Sequence, residues 1–405
     1  MNKLLIGLGT LVLAGLIGWW MIGPDWRRLA TNMPTHPSML FWSLEQRDAG
    51  FRMLDRMPFF VDTRTIKSGK TVRPLEDGEP LNLDFDIDAY IKEQRHVSMI
   101  ILHDGKIRHE SYNLGFTDHG RWTSHSVAKS ITSTLVGAAV KDGYIESLND
   151  PVSKYISGLK GSSYDDVTVE QLLTMSSGVA WTEDYDDPES DIARFARHEA
   201  EDGLPTLVSY MSQLPREHAP GEVWHYSTGE TNLIGILVSE ATGKTLSEYL
   251  SEKIWTPYGM QQDATWLLSA DGEEISGCCI QAATRDFARF GQFILENAEI
   301  DGESIVPDDW LASATSQRVP TGYAGVGYGY QWWTYGEDAF AAIGIFGQGI
   351  YIDRARQLVI ASNSSWTSAL GDQDGENMRR YQFYQDIVQA IDKENGETAQ
   401  PTSEE

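Results

Sequence analysis

Cysteine is nearly absent: the 405 residues contain two, Cys278 and Cys279, and they are neighbours. Adjacent cysteines cannot staple distant parts of a chain, so a disulfide framework is excluded, while their redox state stays open. Positive charge is scarce too: 32 Lys plus Arg against 59 Asp plus Glu leave a net charge of −27 with His neutral. A surface that acidic repels phosphate backbones, which excludes nucleic acid as a general partner. The chain has no H-E-x-x-H and no cluster of Cys and His, so a zinc site has no basis in the sequence. It has no G-x-S-x-G, so the nucleophile elbow of the α/β-hydrolases is unsupported. Gly243-Lys244-Thr245 looks like the end of a phosphate loop, but Val238 stands where the upstream Gly is required, and a helix C-cap explains the Gly better. Asp84, Asp86 and Asp88 begin like a calcium loop, yet Ala89 and Arg95 occupy the positions that need Gly and Glu. No metal and no cofactor is expected.

What is present is a globular composition, 41% apolar and 11% aromatic, with thirteen tryptophans that either line a pocket or fill a core. The length suits one large or two modest domains. Leu4 to Gly23 carry no charge, end in the Trp19-Trp20 pair and are followed by Arg27 and Arg28. Such a run is long enough to span a bilayer as a helix, so residues 1–23 are expected to form a single membrane anchor with the rest of the chain periplasmic or extracellular. A signal peptide cleaved after Ala14 is the alternative; it would leave the apolar stretch from Leu16 to Ile22 on the mature protein.

Residues 24–85 show no clear period and read as an irregular extension. Val97 to Leu102 and Ile107 to Asn113 read as two strands around Asp104-Gly105. Helical patterns then dominate to about Ala312. Among them is an apolar face of Val127, Ala128, Ile131, Leu135, Ala138 and Ala139, and capping boxes are expected at Thr168 with Gln171 and at Ser227 with Glu230. Strands return over 339–353 and 358–362. An amphipathic helix covers 378–391, and 392–405 form an acidic tail expected to be disordered. Strands, a long helical middle, then strands and a closing helix imply one α/β sheet interrupted by a helical region.

The chemistry narrows to Ser126-Val-Ala-Lys129, an S-x-x-K whose Ser opens the apolar helix and whose Lys lies one turn on, along the same face. Desolvation and the positive helix end both lower the pKa of an ammonium there, which would make Lys129 a base for the neighbouring hydroxyl. The alternative is a capping Ser and a Lys that reaches water. Ser157-Gly-Leu-Lys160 matches the same pattern without the apolar helix. Tyr226 stands just before the helix capped by Ser227, where the helix dipole would ease loss of its proton. Gly344, Gly347 and Gly349 interrupt a strand pattern, as where another backbone or a ligand comes close, and an edge strand there could offer an oxyanion donor.

These stretches resemble the serine β-lactamase and penicillin-binding-protein family, in its esterase and amidase branch. The likeness lies in TSHSVAKSITSTLVG (123–137), TVEQLLTMSSGVAW (168–181), PGEVWHYSTGETNLIG (220–235), RDFARFGQFIL (285–295), GYGYQWW (327–333) and GIFGQGIYID (344–353), in the family's order. The run from Ser177 to Asp191 is most similar to the 6-aminohexanoate-dimer hydrolase group, amidases of linear oligoamides. The resemblance implies an antiparallel sheet flanked by helices, with an all-helical subdomain inserted between the N-terminal and C-terminal strands, over 86–391. It implies Ser126 as acylated nucleophile, Lys129 as its base and Tyr226 as proton shuttle. The oxyanion would be held by the backbone N–H of Ser126 and of Ile345. Tyr185 matches a tyrosine that closes over substrate; an ordinary lid aromatic is the other reading. Thr228, Phe346 and Gly347 would contact substrate. Two departures stand out: Thr228 replaces a common Asn, and Ile345-Phe346-Gly347 replaces the Lys-Thr-Gly with which β-lactam enzymes bind a carboxylate. The expected substrate is therefore a small ester or linear amide. A peptidoglycan peptidase or β-lactamase, and a non-catalytic scaffold, are the alternatives; the oligomeric state is left open.

Overall fold

The computed structural model describes residues 2–36, 38–57, 62–200 and 203–396, and leaves out the side chains of residues 2–9, 11 and 196. The expected anchor falls partly on those side chains. Helix α1 (Asn2–Met21) covers residues 2–21 of it, and among the described residues no helix is long and apolar enough to cross a membrane.

Residues 24–85 are less irregular than their sequence suggests. They carry α2 (Gly23–Thr31), with Pro24 in its first turn, and α3 (Leu44–Gly50), closed by a capping box between Ser43 and Gln46. Strands β1 (Thr63–Ile66) and β2 (Glu76–Asp77) follow. In α4 (Ile87–Glu93) the would-be calcium ligand Asp86 is the N-cap, its Oδ1 accepting the Ala89 N–H at 3.0 Å.

Next come β3 (His96–His103), β4 (Lys106–Tyr112) and the short β5 (Trp122–Thr123). The helical middle comprises α5 (Val127–Lys141), α6 (Val169–Leu173), α7 (Asp191–Arg194), α8 (Thr206–Ser212), α9 (Thr228–Thr242) and α10 (Leu246–Leu250). Gly243 caps α9 with φ +67°, as its helix-stop reading requires. Strands β6 (Ala264–Leu267) and β7 (Ile280–Ala282) lead into α11 (Thr284–Leu295), then the small hairpin β8 (Glu299–Ile300) and β9 (Glu303–Ser304) and helix α12 (Trp310–Ala314). The chain closes with β10 (Gly327–Tyr328), β11 (Trp333–Tyr335), β12 (Ala339–Gly344), β13 (Gln348–Asp353), β14 (Leu358–Ser364) and α13 (Glu376–Glu394).

The main sheet runs β10-β11-β12-β13-β14-β3-β4-β2. Its neighbours are antiparallel except β2 and β4, which pair in parallel, so the sheet is mixed rather than purely antiparallel. A second sheet, β1-β6-β7-β5, draws its strands from remote segments. The continuous apolar run of β3 is explained by helices on both faces. Ile100 and Leu102 join the large core with α5, α9 and α11, while Met99 and Ile101 meet Phe383, Tyr384, Ile387 and Ile391 of α13. Helix α13 runs three residues beyond its expected end, because Asp392 pairs with Arg356 at 2.7 Å and Glu394 with Arg108 at 2.7 Å. These residues are therefore not part of an acidic tail; residues 397–405 lie outside the described residues.

The segment 339–353 is a hairpin rather than one strand. Gly344 pairs with Gln348, and Ile345–Gly347 make the turn, with Phe346 at φ +59°. Ile345 thus lies at a hairpin tip in the body of the sheet, not on an edge strand.

Candidate active site

Helix α5 is buried along nearly its whole length, which places the residue before it at the floor of a cleft. That residue is Ser126, 8% exposed. Lys129, one turn on, is 1% exposed. Its ammonium donates to Ser126 Oγ at 3.2 Å, to Thr228 Oγ1 at 2.8 Å and to the Gly277 carbonyl at 2.8 Å. Burial pulls Lys129 down from 10.5 to about 8, and the charge of Glu183 partly opposes the shift. The competing pair Ser157 and Lys160 falls on a short 3₁₀ turn with Lys160 exposed.

Tyr226 lines the cleft beside Ser126, and its ring lies 5.2 Å from the Lys129 ammonium. Ser126, Lys129 and Tyr226 are therefore brought together. The expectation that Tyr226 ionises readily is corrected: burial, then the nearby Glu183 charge, push its hydroxyl far above the usual tyrosine range. These two effects outweigh the helix dipole, since Ser227 separates Tyr226 from the helix and itself caps it, its Oγ accepting the Glu230 N–H at 3.2 Å. The phenol is a proton donor here.

Thr228 does not face the cleft. Its hydroxyl accepts from Lys129 and donates to Glu183 Oε1, while its N–H donates to Glu183 Oε2 at 2.8 Å. Tyr185 lines the cleft, and its hydroxyl also donates to Glu183 Oε1, at 2.7 Å. Trp181 Nε1 donates to Glu183 Oε2 at 2.5 Å. One carboxylate thus gathers four donors and ties Lys129, through Thr228, to Tyr185. Sequence reasoning passed over Glu183 because it opens an acidic run, Glu183-Asp-Tyr-Asp-Asp187, that reads as a solvated loop; the signal was the aromatic residues at 181 and 185 on either side of it. Replacing Glu183 by Gln is expected to lower turnover and to move the basic-side onset of activity to lower pH. The charge that holds Lys129 up would be gone, and a pH series of kcat/KM checks the shift.

The turn at Ile345 packs on Ser124 and His125, the two residues before the nucleophile. A Cβ added to Gly344 would lie 2.7 Å from the Ser124 carbonyl oxygen and 3.1 Å from His125 Cβ, so only Gly allows this approach. Ile345 lines the cleft beside Ser126, but Phe346 and Gly347 do not. Phe346 is 1% exposed and packs on Phe51, with Arg47 over its ring at 4.4 Å; the left-handed turn points it into the core.

The cleft has a volume of about 660 Å³. One wall is aromatic: Trp224, Tyr226, Tyr323, Trp333 and Tyr335. Trp224 lies 5.7 Å from Trp333 and 6.1 Å from Tyr323, so part of the tryptophan surplus lines the pocket, while Trp122, Trp255, Trp266 and Trp332 fill the core. The cleft also holds a cation that sequence reasoning missed, Arg380 of α13. It is 4% exposed, lies 4.7 Å over the Trp366 ring and donates to Asn377 Oδ1 at 2.7 Å, and its Nε has no partner. Arg380 sits three and four residues before Phe383 and Tyr384, on the buried stripe of its helix, and a charge on such a stripe was the available signal. The cleft cation thus comes from α13 and not from the Ile345–Gly347 turn. Among the described residues there is no cluster of His, Cys, Asp and Glu able to hold a metal.

The beta-lactamase family profile matches residues 87–384. The chain is 28% identical over 297 residues to 6-aminohexanoate-dimer hydrolase of Paenarthrobacter ureafaciens, covering 69% of this chain and 75% of that one. Among solved structures, a putative 6-aminohexanoate-dimer hydrolase from Bacillus anthracis superposes with a TM-score of 0.76 at 22% identity, covering 90% of this chain and all (100%) of that one. A family VIII carboxylesterase superposes with a TM-score of 0.57 at 18% identity, over 76% of this chain and 95% of that one. An S-x-x-K at the head of a buried helix, in a chain that matches this profile over most of its length, makes the protein a serine hydrolase of the β-lactamase fold and a member of the beta-lactamase family.

Proposed function

We propose that this hydrolase cuts small esters or linear amides through an acyl-enzyme, with Ser126 as nucleophile, Lys129 as base and Tyr226 as proton shuttle. The observation that carries the reading is the contact set of one buried lysine: Lys129 reaches the Ser126 hydroxyl at 3.2 Å while burial holds it near neutrality. As the neutral amine it takes the Ser126 proton while Oγ attacks the carbonyl carbon. The backbone N–H groups of Ser126 and Ile345 are assigned to the oxyanion. Tyr226, protonated, gives its proton to the leaving alkoxide or amine, and is reprotonated as water attacks the acyl-enzyme and passes its proton back through the same groups. Tyr185, held by Glu183, closes the leaving-group side.

The relatives named for amide and ester hydrolysis support the substrate class, as does the aromatic wall, which suits an apolar acyl or alkyl group. Arg380 favours a second reading, in which the substrate carries a carboxylate, as penicillins and cell-wall peptides do. A panel of p-nitrophenyl esters, linear ω-amino amides and β-lactams separates the two. A kcat/KM for p-nitrophenyl butyrate above those for benzylpenicillin and nitrocefin is expected; the reverse order would transfer the protein to the β-lactam branch. The chain is further proposed to be held on the outer side of a membrane by residues 4–23, and sequencing the mature N-terminus distinguishes this from a cleaved leader.

A further inference from the structure

Cys278 and Cys279 are joined to each other by a disulfide. On its inner side lies the turn that receives Lys129. The Gly277 carbonyl accepts from the ammonium at 2.8 Å, and the Gly277 N–H donates to Asn232 Oδ1 at 2.9 Å. The fit is close: a Cβ at Gly277 would lie 2.6 Å from Thr228 Cγ2 and 3.0 Å from the Thr228 carbonyl oxygen. The residues on either side tie the same turn to both helices of the site. Thr132 Oγ1 donates to the Ser276 carbonyl at 3.0 Å, Ser276 Oγ to the Thr231 carbonyl at 2.8 Å, and the Ile280 N–H to Ser124 Oγ at 3.0 Å. On the outer side, Cys279 is buried against Leu29, Trp42, Met53, Leu54 and Met57 of the N-terminal helices and turns. Cys278 is partly exposed. Cys279 also holds a φ of +73°, a left-handed conformation that a residue with a Cβ keeps only when its surroundings impose it.

We propose that the Cys278–Cys279 disulfide is a redox-sensitive positioning element for Lys129: closed, it fixes the peptide that presents the Gly277 carbonyl, and a dithiol that opens it releases that peptide. The proposal rests on the role given to Lys129 above. The exchange is balanced. One thiolate of the dithiol attacks the Cys278 sulfur, the Cys278–Cys279 bond breaks and Cys279 leaves as thiolate. The second thiol then closes the reagent's own disulfide and frees Cys278, so two electrons and two protons pass from the reagent to the cysteine pair. Without the ring, Cys279 can leave the left-handed region, and that rotation carries the adjoining peptides with it. Misplacing a reacting group by about 1 Å can cost roughly a hundredfold in rate. The ammonium also loses the Gly277 acceptor, which favours its charged form, while the Glu183 charge, the Tyr226 ring and His125 remain around it.

The test uses the full chain, oxidised and after dithiothreitol, with thiols counted and kcat against pH measured on p-nitrophenyl butyrate. Reduction is expected to expose two thiols, to lower kcat by about tenfold or more and to move the pH midpoint downward, all reversed on reoxidation. The double variant Cys278→Ser, Cys279→Ser should behave like the reduced protein and ignore dithiothreitol. Two exposed thiols with an unchanged kcat and pH profile would overturn the proposal, and so would a double variant with the oxidised profile. If a serine-directed phosphonate fails to label even the oxidised protein, the acyl-enzyme reading falls and this proposal falls with it; labelling that reduction does not slow removes this proposal alone.

Discussion

Ser126→Ala is expected to lose turnover by about ten-thousandfold or more while melting within a few degrees of the parent. The loss follows from chemistry: the hydroxyl is held by Lys129 and opens on the cleft that Tyr226 also lines, where a carbonyl can reach it. The near-constant stability follows from what the hydroxyl does not do. Ser126 occupies the N-cap of α5, but its side chain makes no capping hydrogen bond, so the usual cost of about 1 kcal/mol for removing a cap does not apply. Lys129 keeps two other acceptors, Thr228 Oγ1 and the Gly277 carbonyl. A steady-state assay beside a thermal melt checks both halves. A variant that stays active would move the nucleophile elsewhere; one that unfolds would make Ser126 structural.

The second large effect belongs to Lys129. Lys129→Met is expected to lower kcat by a factor of about a hundred to ten thousand, the usual worth of a general base, and among the described residues no histidine side chain hydrogen-bonds Ser126 to replace it. In the parent, kcat/KM should rise with pH through about 8, because the amine acts only when neutral and burial holds it there. The same shift marks stability. The unfolded lysine titrates at 10.5 and the folded one near 8, so between these values the unfolded chain binds more protons and unfolding free energy increases with pH. That slope should appear in parent denaturation curves and be missing from Lys129→Met. An activity limb well below pH 7, or equal slopes in the two proteins, would contradict the buried-base assignment.

What could be read from the sequence was local. The strand pair around Asp104-Gly105 and the apolar face of α5 with Ser126 and Lys129 one turn apart are present as expected. So is the capping box of Thr168 and Gln171, since each depends on residues within a few positions of one another. The second expected box is only half made. Ser227 caps α9, but the Glu230 carboxyl turns inward to accept from Ser177, and burial pushes it up to about 8. What could not be read is contact between remote segments. The second sheet is built from strands of two to four residues, too short for alternation to show. The hairpin tip at Ile345 depends on the close fit of Gly344 against Ser124, and a strand pattern does not encode that. Glu183, Gly277 and Arg380 meet the site only because the loop after α6, the turn before β7 and helix α13 converge there.

The most direct test is covalent. The full chain is treated with a fluorophosphonate at pH 8 and the modified peptide is mapped by mass spectrometry. A single adduct is expected on Ser126, absent from Ser126→Ala and formed at least about a hundredfold more slowly in Lys129→Met. An adduct on any other residue, or no adduct on a protein that hydrolyses p-nitrophenyl butyrate, would contradict the assignment of Ser126 and Lys129 as nucleophile and base.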